Sequence, residues 1–168
     1  NPDGYQPQSP VFYDLPPLEQ RQDGQFYVSG VWQAWPEALA FAGQSGGQVV
    51  LPYQAATVNA VLSPSADVVE VALDIRPSQT DPLLFVQQDG RSLDPHIAGA
   101  DIEFAANGQS YVRVNRARLY QLVRNPHYAA HELTLTFAAP GLALYAFTFT
   151  TCTTPTPSAD AANTIHVR

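Results

Sequence analysis

The chain has 168 residues, of which 45% are hydrophobic and 14% charged, and a formal net charge of −7 at pH 7. This length suits a single domain with a substantial core. The negative charge argues against a nucleic acid as a partner. No stretch approaches the roughly 20 apolar residues that span a bilayer, so no membrane insertion is expected. The single cysteine, Cys152, excludes an internal disulfide and a Cys-x-x-Cys redox centre within the chain.

Composition divides the chain into three segments. Residues 1–23 are rich in Pro and Gln and are predicted to form a linker or a strap laid over a sheet. Residues 24–151 are predicted to fold, and the Thr/Pro-rich residues 152–168 to form a flexible tail. The sequence contains no Met and opens at Asn1, so we expect it to belong to a longer protein.

Alternation of apolar and polar residues predicts strands through the folded segment. The residue pairs Asp89-Gly90 and Asn107-Gly108 each follow a strand-like run and predict tight turns. Short strands at this spacing indicate an all-β, antiparallel two-sheet β-sandwich of the jelly-roll, galactose-binding-like type. The predicted strands cover residues 26–35, 38–42, 48–53, 58–63, 67–75, 83–87, 101–105, 110–115, 131–137 and 141–150.

Three details of this prediction concern the C-terminal half. Residues 118–124 (RLYQLVR) fit either one helical turn or part of a strand. Residues 141–150 carry apolar side chains on both faces, which predicts a central strand covered on both sides. His127 and His131 follow Asn125-Pro126, so we expect two solvated loop histidines there and not a metal site.

Catalytic groups have little support in the sequence. Most carboxylates fall in predicted turns or on solvent-facing strand positions, and no nucleophile elbow, metalloprotease motif or phosphate loop occurs. A glycosidase needs two converging carboxylates, and a pair such as Asp74 and Glu103 stays open as an alternative. We predict no catalytic residue, no metal site and no cofactor.

Aromatic and arginine residues are the candidates for binding. Trp32 and Trp35 have odd spacing in one strand and therefore lie on opposite faces, so we expect Trp32 in the core and Trp35 exposed. Half of the positive charge lies between residues 113 and 124, with tyrosines interleaved. The alternative is that these arginines pair with Asp101, Glu103 or Glu132. The candidate ligand-binding residues are Trp35, Tyr111, Arg113, Arg118, Tyr120 and Arg124.

The sequence also resembles a known family. Residues 118–124 (RLYQLVR) and 140–149 (PGLALYAFTF) are similar to two motifs in the C-terminal domain of bacterial DipZ-type thioredoxin-like proteins, and residues 30–32 and 54–62 resemble it more loosely. The resemblance covers about residues 25–150. It implies a jelly-roll module similar to carbohydrate-binding modules, in one chain with a thioredoxin-fold domain and in an extracytoplasmic location.

Three functions follow as expectations. The first is a non-catalytic module that binds a saccharide through aromatic stacking and hydrogen bonds. The second is an interaction or structural module that docks a thiol-redox domain or dimerises, without a small ligand. The third is a glycoside hydrolase or an esterase, which the sequence favours least.

Overall fold

A computed structural model of the protein describes residues 4, 5, 9–44, 46–65 and 81–151. In these ranges the regular structure is β-strand, apart from one short 3-10 turn at Leu18–Gln20. No helix in them is long and apolar enough to cross a membrane. The strands are β1 Pro10–Tyr13, β2 Tyr27–Ala34, β3 Leu39–Phe41, β4 Gly47–Ser63, β5 Leu83–Gln88, β6 Arg91–Ser92, β7 Glu103–Phe104, β8 Ser110–Arg113, β9 Arg118–Phe137 and β10 Ala143–Thr150.

All the strand pairs are antiparallel. Hydrogen bonds join neighbours in the order β1-β2-β3-β10-β4-β9-β5-β8-β7, with β6 on β5 and an additional pairing of β2 with β4. The prediction of an all-β antiparallel fold is therefore confirmed.

Two long strands shape the sheet, β4 with 17 residues and β9 with 20. On one edge of β4, the first half pairs with β2 and the second half with β10, while β9 follows the other edge throughout. Register shifts between Ala55 and Thr57 and between Val58 and Asn59 mark irregularities that bend such strands. Because β3 pairs with both β2 and β10, the pairings close into a circuit, and the sheet folds back on itself as a β-sandwich.

The core lies between the two layers and contains residues from both halves of the long strands. Trp32 is fully buried, and its ring centroid lies 4.8 Å from that of Phe137 and 5.3 Å from that of Phe41. The indole nitrogen is also satisfied, since Nε1 donates to the carbonyl oxygen of Ser29 at 2.8 Å. Period-2 alternation places these side chains inward, as the sequence predicts.

The predicted tight turns are also confirmed. Asp89 and Gly90 both have positive φ, 52° and 73°, and connect β5 to β6 as a type I′ turn requires. Gly108 has φ 80° and lies in the turn between β7 and β8.

Several local expectations are corrected. Residues 48–53 and 58–63 belong to one strand, β4. Of the two alternatives for residues 118–124 the strand is confirmed, and it runs on to 137 without a loop. His127 and His131 therefore lie within β9 instead of in a loop, and His131 contacts Asp89 through Nδ1. The predicted strand with Val69, Val71, Leu73 and Ile75 and the predicted tail 152–168 lie outside the described residues.

The outer half of β10 also differs from its prediction. Leu144 is buried, but after a register shift between Leu144 and Ala146 the side chains of Ala146, Thr148 and Phe149 are exposed. The outer face carries polar side chains in contact with solvent, and Asn59 donates to the Thr148 hydroxyl there at 3.2 Å. This strand is therefore covered on one side only in its second half.

Candidate binding surface

The tip of the β2–β3 hairpin carries the exposed tryptophan. β2 ends at Ala34 and β3 begins at Leu39, and the turn between them is closed by the Trp35 N–H, which donates to the Ala38 carbonyl at 2.8 Å. Pro36 fixes its own φ and prevents the strand from continuing. The Trp35 side chain is 43% exposed, whereas Trp32 is fully buried, as the odd spacing of the two predicts.

A groove of about 420 Å³ opens beside this tip. Its volume lies within the range of about 300–1,000 Å³ that is usual for small-molecule sites. The described lining is mainly aromatic and aliphatic, and within it Glu37 is the only charged residue. The ring-bearing and charged lining residues are Tyr5, Phe26, Trp35, Tyr145 and Glu37.

A smaller depression of about 240 Å³ adjoins Trp35 as well. Its lining includes Gln33, Ser65 and the Pro140-Gly141 turn. Gly141 has φ 91°, a backbone conformation that favours glycine, so this turn is set by its sequence. Trp35 is the one residue that lines both depressions.

A series of rings supports the larger groove from below. Tyr5 packs edge-on against Tyr13 at 5.5 Å and stacks on Phe26 at 5.9 Å, and Phe26 lies 6.0 Å from Phe147. Burial raises the pKa of Tyr5 above its usual value, with the nearby tyrosines contributing. This packing holds the groove in place before any ligand arrives.

The candidates on β8 and β9 lie elsewhere and line neither depression. Tyr120 is fully buried, and its hydroxyl donates to the Arg116 carbonyl at 2.8 Å and accepts from the Asn115 N–H at 3.2 Å. The Tyr120 ring is therefore not available to a ligand. Arg118 lies over that ring at 3.8 Å from its centroid.

Arg118 is held by an ion pair, in agreement with the alternative interpretation of the arginines. Its Nη2 donates to Asp101 Oδ1 at 2.7 Å, and the Gln121 N–H donates to Asp101 Oδ2 at 2.7 Å. Burial raises the pKa of Asp101, but the hydrogen bonds and charge of Arg118 and the Gln121 N–H outweigh it, so the pKa lies below its usual value. This pair fastens the 99–102 segment to β9.

Tyr111 and Arg113 form a second group with one acid. The Tyr111 hydroxyl donates to Glu103 Oε2 at 3.0 Å, and Arg113 Nε lies 3.6 Å from Glu103 Oε1. Arg124, the last candidate, is exposed on β9 opposite Thr57. The six candidates thus do not form one surface, and Trp35 is the one of them that lines the two depressions described above.

Sequence reasoning missed a buried polar ring at the bend of the long strands. The Tyr53 hydroxyl donates to Gln88 Oε1 at 2.5 Å, Gln88 Nε2 donates to Asn125 Oδ1 at 3.1 Å, and Asn125 Nδ2 donates back to the Tyr53 oxygen at 3.1 Å. Beside it, His131 Nδ1 lies 2.7 Å from Asp89 Oδ2. Both strands that carry Gln88 and Asn125 also hold polar residues that are not buried, so the sequence gives no signal that these two amides are buried. The ring satisfies these groups internally and is structural.

The Asp101–Arg118 ion pair is expected to make the free energy of unfolding depend on pH in the acid range. We expect Asp101→Asn to lower the free energy of unfolding at pH 7 by about 1 kcal/mol, since Arg118 loses a charged partner. Because the folded-state pKa is lowered, the contribution is present above about pH 4 and is lost as pH falls further. Urea unfolding at pH 7 and pH 3 checks this. Asp23→Asn, at an exposed turn, is the control, and an equal effect of both variants would contradict it.

Comparison with known proteins identifies a family whose model matches the chain. No curated protein sequence matches the chain. The family described as thioredoxin-like C-terminal domain matches residues 1–150, a range that includes β1 as well as the sandwich. The resemblance to a C-terminal domain of thioredoxin-like proteins is confirmed at this level. Because the match covers most of the sequence, the chain belongs to the thioredoxin-like C-terminal domain family.

Proposed function

We propose that this domain is a non-catalytic module that binds a saccharide in the groove beside Trp35. The observation that carries the proposal is the half-exposed Trp35 ring, which forms a wall of an apolar groove with a carboxylate nearby. Sugar rings present C–H faces that pack on flat aromatic surfaces, while their hydroxyls need acceptors and donors at the rim.

The groove has the features that such a ligand requires. Tyr145 and Trp35 offer amphipathic rings, and Glu37 offers an acceptor for sugar hydroxyls. The hydrogen bond that closes the hairpin turn and the ring series below the groove hold these groups in place. A preformed site loses less conformational entropy when the ligand binds.

The arrangement of carboxylates favours binding over catalysis. Glycosidases place two carboxyl groups roughly 5–9.5 Å apart across the scissile bond. In the part of the groove lining that the structure describes, Glu37 is the one carboxylate, and Glu103 is engaged elsewhere by Tyr111 and Arg113. Asp74, the other member of the predicted pair, lies outside the described residues. A hydrolase or esterase remains the least supported alternative.

Membership of this family supports a proposal about the other domain of the protein in which the module occurs. We propose that the domain follows a thioredoxin-fold domain in the same chain, as the family description suggests. Its finer likeness to DipZ-type proteins and to carbohydrate-binding modules extends the proposal to an extracytoplasmic location in bacteria.

The test is a change in saccharide affinity on removal of the Trp35 ring. Calorimetric titration with cello-, chito-, malto- and xylo-oligosaccharides is expected to show binding to at least one series. Trp35→Ala is expected to weaken that binding tenfold or more, since a flat ring stacked on an aromatic side chain contributes about 1–3 kcal/mol where nucleic-acid bases stack on proteins, and about 1.4 kcal/mol is tenfold in affinity. Tryptophan fluorescence gives a second readout. Since Trp32 is fully buried, a change in fluorescence when a ligand is added is assigned to Trp35.

The matched control is Leu119→Ala. Leu119 is 41% exposed, close to the 43% of Trp35, and lies on β9 outside both depressions. Its replacement is expected to leave the affinity unchanged. No binding to any series, or equal binding by the Trp35 variant, would overturn the proposal.

One observation favours a second candidate function, docking of a partner protein. β1 is an edge strand, and its Phe12 side chain is 63% exposed. Edge strands with exposed apolar groups are suited to pairing with another chain. Absence of saccharide binding, together with self-association or association with a thioredoxin-fold domain in sedimentation velocity, would favour this function over the first.

A further inference from the structure

We infer that the ligand is an uncharged glycan chain that crosses the hairpin tip, with neighbouring sugar units on the two sides of Trp35. This inference rests on the proposed function and adds the size and charge class of the ligand. Its starting point is that Trp35 lines both depressions.

The two depressions lie on opposite faces of the β2–β3 hairpin. Ala34 pairs with Leu39 and both line the larger groove, whereas Gln33 pairs with Ala40 and both line the smaller depression. Successive residues of a strand point to opposite faces. A ligand that contacts both sides must therefore pass over the exposed turn at Trp35, Pro36 and Glu37.

The volumes favour one extended site over two separate ones. The larger groove, about 420 Å³, lies in the usual range for ligand sites, but the smaller, about 240 Å³, lies below it. The smaller depression is thus suited to add contacts to a ligand already seated beside Trp35. A single sugar ring in the larger groove would leave the smaller depression unused.

The chemistry of the two sides is complementary. The larger groove is rich in rings, which suits stacking, whereas the smaller depression carries the Gln33 amide, which suits hydrogen bonds to sugar hydroxyls. A glycan offers both an apolar ring face and hydroxyls in every unit, so a chain can use both sides at once.

The charge of the site selects against acidic glycans. Among the described residues that line the two depressions, Glu37 is the only charged one, and the whole chain has a formal net charge of −7. A uronic acid would place a carboxylate in this negative field, and none of the described lining residues is a cation that could pair with it. The expected class is therefore an uncharged glycan.

The experiment is a chain-length series of the best-binding oligosaccharide, from one to six units, titrated by calorimetry. We expect affinity to rise at least tenfold from the monosaccharide to a plateau. Gln33→Ala, and Ala42→Gln, which narrows the smaller depression, are expected to lower oligosaccharide affinity three- to tenfold and to leave monosaccharide affinity unchanged. Two variants are used because either one alone could alter the fold, which circular dichroism checks.

The outcomes separate this inference from the proposed function. Equal affinity for the monosaccharide and the longer chains, or no effect of either variant on the longer chains, would overturn the inference and leave saccharide binding standing. Tighter binding of oligogalacturonides than of neutral chains would overturn the charge class. No binding of any length would overturn both.

Discussion

Trp32→Ala is expected to lower the free energy of unfolding by about 3–5 kcal/mol, the cost usual for deleting a large buried aromatic side chain. The Trp32 ring is fully buried between Phe41 and Phe137, from two different strands of the fold. The substitution opens a cavity that the surrounding rings cannot fill, and the Ser29 carbonyl loses its indole donor. Urea unfolding followed by far-UV circular dichroism measures the loss.

The matched control is the other tryptophan. Trp35→Ala removes a side chain that is 43% exposed, so we expect it to change the free energy of unfolding by less than about 1 kcal/mol. Trp32→Phe keeps most of the volume and is expected to fall between the two alanine variants, which keeps the prediction measurable if Trp32→Ala does not fold. A similar loss for both alanine variants would contradict the burial described here.

The local pattern of apolar and polar residues was sufficient to predict much of the fold. Alternation predicts most strands because one face of each is buried, and odd spacing separates Trp32 from Trp35 for the same reason. The tight turn at Asp89-Gly90 follows from the residue types that tolerate positive φ.

The lengths of β4 and β9 could not be read from local pattern. Each strand changes neighbours along its length, and register shifts at the bend interrupt the alternation that marks a strand. Residues 48–53 and 58–63 therefore read as two strands, and His127 reads as part of a loop.

The candidate site was only partly predictable. Trp35 follows from alternation, but the groove beside it needs Tyr5, Phe26 and Tyr145, which come from distant parts of the chain. Tyr120 shows a different error, because it alternates with Leu119 and Gln121 and shares its inward face with Leu122. A strand interpretation of residues 118–124 places Tyr120 in the core, but Tyr120 is predicted as a binding candidate because it is interleaved with the clustered arginines.

Tyr53→Phe is expected to lower the free energy of unfolding by about 1–3 kcal/mol, although it removes only one oxygen atom. The loss leaves Gln88 Oε1 without its donor and Asn125 Nδ2 without its acceptor, and both residues are buried. Unpaired polar groups in a buried network cost more than the hydrogen bond itself contributes. Urea unfolding at pH 7 measures the effect.

Tyr53→Phe also tests how the free energy of unfolding changes at alkaline pH. The direction of this change follows from the pKa of the Tyr53 phenol. Burial raises the pKa of Tyr53 to about 12, so the folded protein keeps the neutral phenol while the unfolded chain ionises near pH 10. The contribution of Tyr53 is therefore present below about pH 10 and is lost as pH rises toward 12. In a pH series, Tyr53→Phe should lose stability less steeply in this window than the wild type does.

Tyr128→Phe, at an exposed tyrosine whose hydroxyl donates weakly to Gln54 at 3.4 Å, is the control and should match the wild type at both neutral and alkaline pH. If the two phenylalanine variants behave alike, the polar ring does not stabilise the bend of β4 and β9.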